Sequence, residues 1–229
     1  MNIITALLIK QCKDSFRNLP SLMILMIYPA VALIMITSMK SEADLDSFFV
    51  PMFAAMHCSF APLVTSSNIL SEEKEKGTLR SLVMAGVSRA KYLISLSLFV
   101  LASVMVTGST FLFMKQTDIS SAAAFMAAML TGSAVSTLIG LCIGIYSKNV
   151  TAANGMAVPV GLIFALIPML GQFNEGIGKA AKYTYSGQIK AVFDSGCYTL
   201  NAVTIPAAYF IVLPGSCVTI SPMCLSPTI

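Results

Sequence analysis

Five long stretches of this chain carry no formal charge: Leu19–Met39, Ser47–Ser71, Tyr92–Met114, Ile119–Ser147 and Asn149–Asn174. A helix needs roughly 20 apolar residues to cross the hydrocarbon core of a bilayer, and each stretch reaches that length. Folding them into a soluble core would leave too little chain to cover so much apolar surface. A sixth stretch, Ser195–Ile229, is as long but is interrupted by Pro206, Pro214, Pro222 and Pro227. The pattern predicts an all-α integral membrane protein of about six transmembrane helices, the last of them irregular.

Composition agrees with that reading. The chain is 56% hydrophobic and only 10% charged, which excludes a disordered chain and a coiled coil. A net charge of +4 offers no basic surface for phosphates, so nucleic acid is not an expected partner. The six cysteines, Cys12, Cys58, Cys142, Cys197, Cys217 and Cys224, include no pair at metal-ligand spacing and read as small packing residues. The first apolar run is too long for the core of a signal peptide and is expected to remain as an anchor.

Basic residues favour the cytoplasmic side. With the N-terminus inside, Lys10, Lys13, Arg17, Lys74, Lys76, Arg80, Arg89, Lys91 and Lys148 lie inside, and Lys40, Lys115, Lys179, Lys182 and Lys190 outside. The early loops decide the orientation, and the segment 175–194 works against it. Residues 1–18 pair apolar Ile3, Leu7, Leu8 and Phe16 with Lys10, Lys13, Asp14 and Arg17, the pattern of a helix lying in the membrane interface before the chain turns in at Pro20.

Charge is concentrated in one place. Of the 14 Lys+Arg and 10 Asp+Glu, eight fall between Glu72 and Lys91. Ser71, Glu72 and Glu73 resemble a helix start, with acids at the positive end of the dipole. Glu72 and Lys76 are spaced to pair across one turn. Gly77 breaks the run, and Thr78 is placed to cap a second helix. Leu79, Leu82, Val83 and Gly86 form one apolar stripe, and Ser88 can cap the next span. The residues alone allow a solvated connecting loop or a docking element tied at both ends to spans.

The run Glu73-Lys-Glu-Lys-Gly77-Thr78-Leu79, then Leu82-Val83, Val87-Ser88-Arg89 and Tyr92-Leu93, resembles the loop between the second and third spans of ABC transporter type-2 permeases. With the N-terminal helix and the order of spans, the resemblance covers roughly residues 1–200. It implies a permease subunit of a bacterial ABC exporter in the cytoplasmic membrane, forming the pathway as a homo- or heterodimer with a second permease subunit. Residues 71–91 would be the coupling segment, with Glu73, Gly77, Thr78, Leu79, Leu82, Val83 and Arg89 at or near a cytosolic ABC ATPase. Gly86 departs from the family, whose members often carry proline before the Ser-Arg turn, and is expected to loosen that turn.

No Gly-x-x-x-x-Gly-Lys-Ser/Thr sequence occurs. ATP and Mg are therefore expected on the partner ATPase, with no cofactor and no catalytic residue on this chain. The five spans contain no Asp, Glu, Lys or Arg, which argues against an ion-coupled carrier. His57, inside the second span, reads either as a polar packing residue or as part of a pathway. Ala124, Ala128, Gly132, Ser136, Gly140 and Gly144 recur every fourth residue and favour close helix packing, within the subunit or across a dimer. Pro159 and Pro168 suggest kinks in the fifth span. Residues 175–194 are expected as an external amphipathic loop; type-2 permeases are similar in carrying short external helices there. Residues 195–229 form the atypical last span and tail. The other reading kept open is an ATP-independent channel or regulated membrane protein whose loop binds a cytosolic partner.

Overall fold

A computed structural model describes residues 3–38, 45–115, 119–198 and 200–211. The described residues are helical, in the order α1 (Ile3–Arg17), α2 (Leu19–Ser38), α3 (Leu45–Glu75), α4 (Thr78–Met84), α5 (Arg89–Lys115), α6 (Ile119–Tyr146), α7 (Val150–Leu170), α8 (Glu175–Ala181) and α9 (Tyr185–Ser195). A tenth helix, α10, covers Leu200–Ile211. Helices α2, α3, α5, α6 and α7 are each long and apolar enough to cross a membrane, close to the limits read from the charge-free runs. The chain is an all-α multi-pass membrane protein.

Helix α3 is the axis of the bundle and packs on α2, α5, α6, α7 and α9. Within its apolar window 83% of residues are buried, against 22% in α2 and in α7. The outer helices thus leave most of their surface to lipid or to another chain. Small residues explain how α6 gets so close to α3. Gly140 lies against Ser66 and the Leu63 carbonyl, and Gly144 against Leu70 and the Ser67 carbonyl. Any larger residue at Gly140 would meet backbone, so the approach needs the missing side chain.

The segment 175–194 forms two helices rather than a loop. Along α9, Tyr185 bonds Ser136 at 2.9 Å and Ile189 faces Gly132, both on α6. Farther along, the Phe193 ring packs at a tilt on that of Phe125, centroids 4.3 Å apart, and Gly196 lies beside Ser121. Each step of α9 therefore meets an earlier residue of α6, so the two run antiparallel. The chain dips into the bundle at Tyr185 and returns to the end where α6 begins. Lys190, which fitted poorly on an external loop, is buried and paired with Asp194 one turn away.

Helix α7 continues through Pro159 and Pro168. Helix α10 contains Pro206 and is about 18 Å long at 1.5 Å per residue, short of a roughly 30 Å core. The expected tail beyond it, with Pro214, Pro222 and Pro227, lies outside the described residues. Of the cysteines read as packing residues, Cys12, Cys58 and Cys197 are free thiols, whereas Cys142 is disulfide-bonded.

Candidate functional site

The charged segment lies at the end of the bundle where α3 and α6 finish and α5 and α7 begin. Ser71–Glu75 does not start a helix; it is the last turn of α3. That puts three carboxylates near the negative pole of the α3 dipole, an unfavourable place for them. Partners from other elements offset the penalty.

Four consecutive residues reach four different targets. Glu72 accepts from Asn18 Nδ2 at 3.1 Å, at the α1–α2 junction, and also pairs with Lys76. Glu73 accepts from Lys10 Nζ of α1 at 2.7 Å. Lys74 Nζ donates to the Gly144, Ile145 and Ser147 carbonyls at 3.1, 2.7 and 2.6 Å, at the C-terminal end of α6. Glu75 Oε2 accepts from the Val150 N–H at 3.0 Å, the first residue of α7. The hydrogen bond that Lys76 donates to Glu72 holds the pKa of its exposed ammonium above the ordinary lysine range. A cavity of about 730 Å³ opens between α1 and this end of α3, lined by Lys10, Asp14, Asn18, Glu72 and Lys76 among others.

Helix α4 is attached to that hub without slack. Gly77 turns the chain at φ 68 and occupies the N-cap position. Thr78 is the first helical residue, and its hydroxyl donates back to the Glu73 carbonyl at 3.1 Å instead of capping α4. At the other end Val87 N–H bonds the Leu82 carbonyl and Gly86 N–H bonds the Val83 carbonyl, a Schellman closure. Gly86 sits there at φ 87, a conformation closed to proline. The expected loosening does not occur; glycine closes the turn. Ser88 then accepts from Lys91 N–H at 3.3 Å and caps α5.

The apolar stripe splits between two faces. Leu79 is buried and Leu82 half-buried, packed in one cluster with Leu7, Leu70, Tyr92 and Leu96. Val83 is 37% exposed and Met84 79%, and Gly77, Arg80, Ser81, Gly86 and Arg89 are also exposed. Glu73 is buried and Thr78 half-buried, so the residues singled out in sequence divide into a bracing set (Glu73, Thr78, Leu79, Leu82) and a presented set (Gly77, Val83, Arg89). Lys10, Asn18, Glu72, Lys74 and Glu75 were missed. The opposite charges of Lys74 and Glu75, adjacent at a helix end, were the available signal for contacts with two helix termini.

The remaining residues lie deeper. Gly132, Ser136, Gly140 and Gly144 are buried and face α3 or α9 of the same subunit. His57 is fully buried on α3, with Nε2 3.0 Å from Thr107 Oγ1 on α5 and its ring against Phe111.

The model of the family described as "ABC-2 type transporter" matches residues 3–168, more than half of the chain. This chain belongs to the ABC-2 type transporter family. The matched range includes α1, the hub, α4 and α7 almost to its end. No curated protein and no solved structure matches it. As an ABC-2 permease the chain is the membrane component of an ABC transporter and is not itself catalytic.

Proposed function

We propose that this permease is half of an exporter, dimerises with a second permease subunit, and couples through α4 to a separate cytosolic ABC ATPase that binds ATP and Mg. The observation that carries the reading is α4 itself. It is a short helix fixed at both ends and braced inward by Leu79, and it presents Arg80, Val83 and Met84 outward. A solvated connector would have no need of a Schellman closure or of an exposed Met84 beside Val83. Exposed apolar side chains on a rigid mount are what a partner cleft recognises. The basic residues favour the cytoplasmic side for this end of the bundle, with the N-terminus inside, and the family resemblance favours a bacterial cytoplasmic membrane. The open faces of α2 and α7 leave room for a second subunit. His57 remains a candidate pathway residue because it places a polar ring in the middle of the bundle.

Affinity purification of the full chain from membranes tests the reading. An ABC ATPase should copurify, and a Val83→Asp/Met84→Asp variant should lose it while inserting normally and melting at the same temperature. Retention of the ATPase by that variant would rule out α4 as the contact.

A further inference from the structure

We propose that Lys74 and Glu75 are positioning residues that carry movement of α4 to the α6–α7 turn, giving the docking helix a second route into the bundle besides its two chain ends. The inference rests on the docking reading of α4.

An ammonium has three N–H donors, and the three carbonyls at the end of α6 are placed to receive all of them. These carbonyls carry the negative pole of α6, so the cation is bound by charge as well as by hydrogen bonds. The next residue does the reverse. Glu75 places an anion on the first N–H of α7, beside Asn149, which accepts from Ala152 N–H. The end of α3 therefore grips the C-terminus of one span and the N-terminus of the next, on either side of the turn through Ser147, Lys148 and Asn149.

The link back to α4 is equally short. Gly77 N–H bonds the Lys74 carbonyl at 3.1 Å, and Thr78 Oγ1 bonds the Glu73 carbonyl. Displacing α4 must shift the last turn of α3, and that turn holds α6 and α7 through charge-assisted bonds, which are about twice as strong as neutral ones. A connection through the chain alone would move α3 and α5 and leave the α6–α7 turn to follow by packing.

Hydrogen–deuterium exchange on the full chain with its ATPase, in nanodiscs of phosphatidylethanolamine and phosphatidylglycerol, tests this. Exchange is compared without nucleotide and with a non-hydrolysable ATP analogue, over peptides covering 78–86 and 144–152. In the wild type both regions should respond. In Lys74→Met the response at 78–86 should persist, while that at 144–152 falls at least fivefold, and Lys74→Arg should keep most of it. Glu75→Ala, at an exposed position, gives the same test if Lys74→Met folds poorly. A nucleotide response at 144–152 that is unchanged in both variants would overturn the inference, even if basal exchange there rises, because Lys74 would then be a static cap. A wild-type complex silent at 78–86 would overturn the docking reading and this inference with it. A complex responding at 78–86 but not at 144–152 would overturn the inference alone.

Discussion

Lys10 of α1 and Glu73 of α3 stand 63 residues apart in the chain and meet with Nζ 2.7 Å from Oε1. The Glu73 side chain is only 10% exposed and that of Lys10 33%. The contact joins the N-terminal helix to the turn that supports α4, so it belongs to the hub and not to a solvated surface. Removing the cation strands a buried carboxylate. Lys10→Met should therefore cost about 1–3 kcal/mol, tempered by the partial exposure of Lys10. Removing both charges should be milder, since no unpaired ion remains. Thermal unfolding in detergent checks the order: Lys10→Met should melt lowest, with Lys10→Met/Glu73→Leu above it. The reverse order would mean that the pair contributes no net attraction.

Two left-handed glycines, Gly77 and Gly86, set the geometry of α4. A Cβ at Gly77 or Gly86 would meet nothing within 4 Å, so only the backbone resists substitution. An L-residue in that conformation costs roughly 1–2 kcal/mol. Gly77→Ala and Gly86→Ala should each weaken capture of the ATPase about five- to thirtyfold if the intact α4 geometry is what binds, at 1.4 kcal/mol per tenfold. Titration of the purified ATPase against each variant measures it. Affinity unchanged in both would show that the partner does not need this geometry.

Five of the about six expected spans, and most of their limits, were legible because a bilayer imposes one plain condition, a long run without charge; where the sixth was expected, the described residues hold only the short α10. The presence of α4 was legible for a similar local reason: glycines at Gly77 and Gly86 bracket an apolar stripe. What sequence did not give was direction. Ser71-Glu72-Glu73 has the composition of a helix start, yet α3 runs through it to Glu75. The acids are tolerated there because Lys10, Asn18 and Val150, distant in sequence, reach them. The buried position of α9 was hidden similarly. Its Tyr185, Lys190 and Asp194 look like surface residues until Ser136 and the internal Lys190–Asp194 pair satisfy them. Long-range partners decide both cases, and local pattern carries no record of them.

The α3–α6 contact gives an ordering that composition alone would not. A Cβ at Gly140 would press on the Leu63 carbonyl, a backbone atom that cannot step aside. At Gly144 the nearest atoms, on Leu70 and Ser67, would be 3.1 Å away, and at Gly155 nothing lies within 4 Å. Gly140→Ala should therefore destabilise by about 1–3 kcal/mol or more, Gly144→Ala by less, and Gly155→Ala scarcely at all. Melting temperatures of the three purified variants decide it. Equal gains in all three, the effect expected of alanine's higher helix propensity alone, would mean that close approach does not govern these positions.

Two native thiols make the orientation measurable. Cys12 is exposed on α1 at the hub end, and Cys197 is exposed next to Gly196, which lies beside Ser121 at the opposite end. If the hub faces the cytoplasm, a membrane-impermeant maleimide added to intact cells, with the outer envelope made permeable, should label Cys197 and spare Cys12. Inside-out vesicles should reverse the pattern. Cys142, which is disulfide-bonded, is replaced by serine together with Cys217 and Cys224 beforehand, so that none of the three contributes to the signal. The assay needs no transported substrate and no ATPase, so it separates the orientation of the permease from its coupling. Labelling of Cys12 from outside would place α4 on the outer face, where no cytosolic ATPase could reach it, and would exclude the coupling role however well the helix is built.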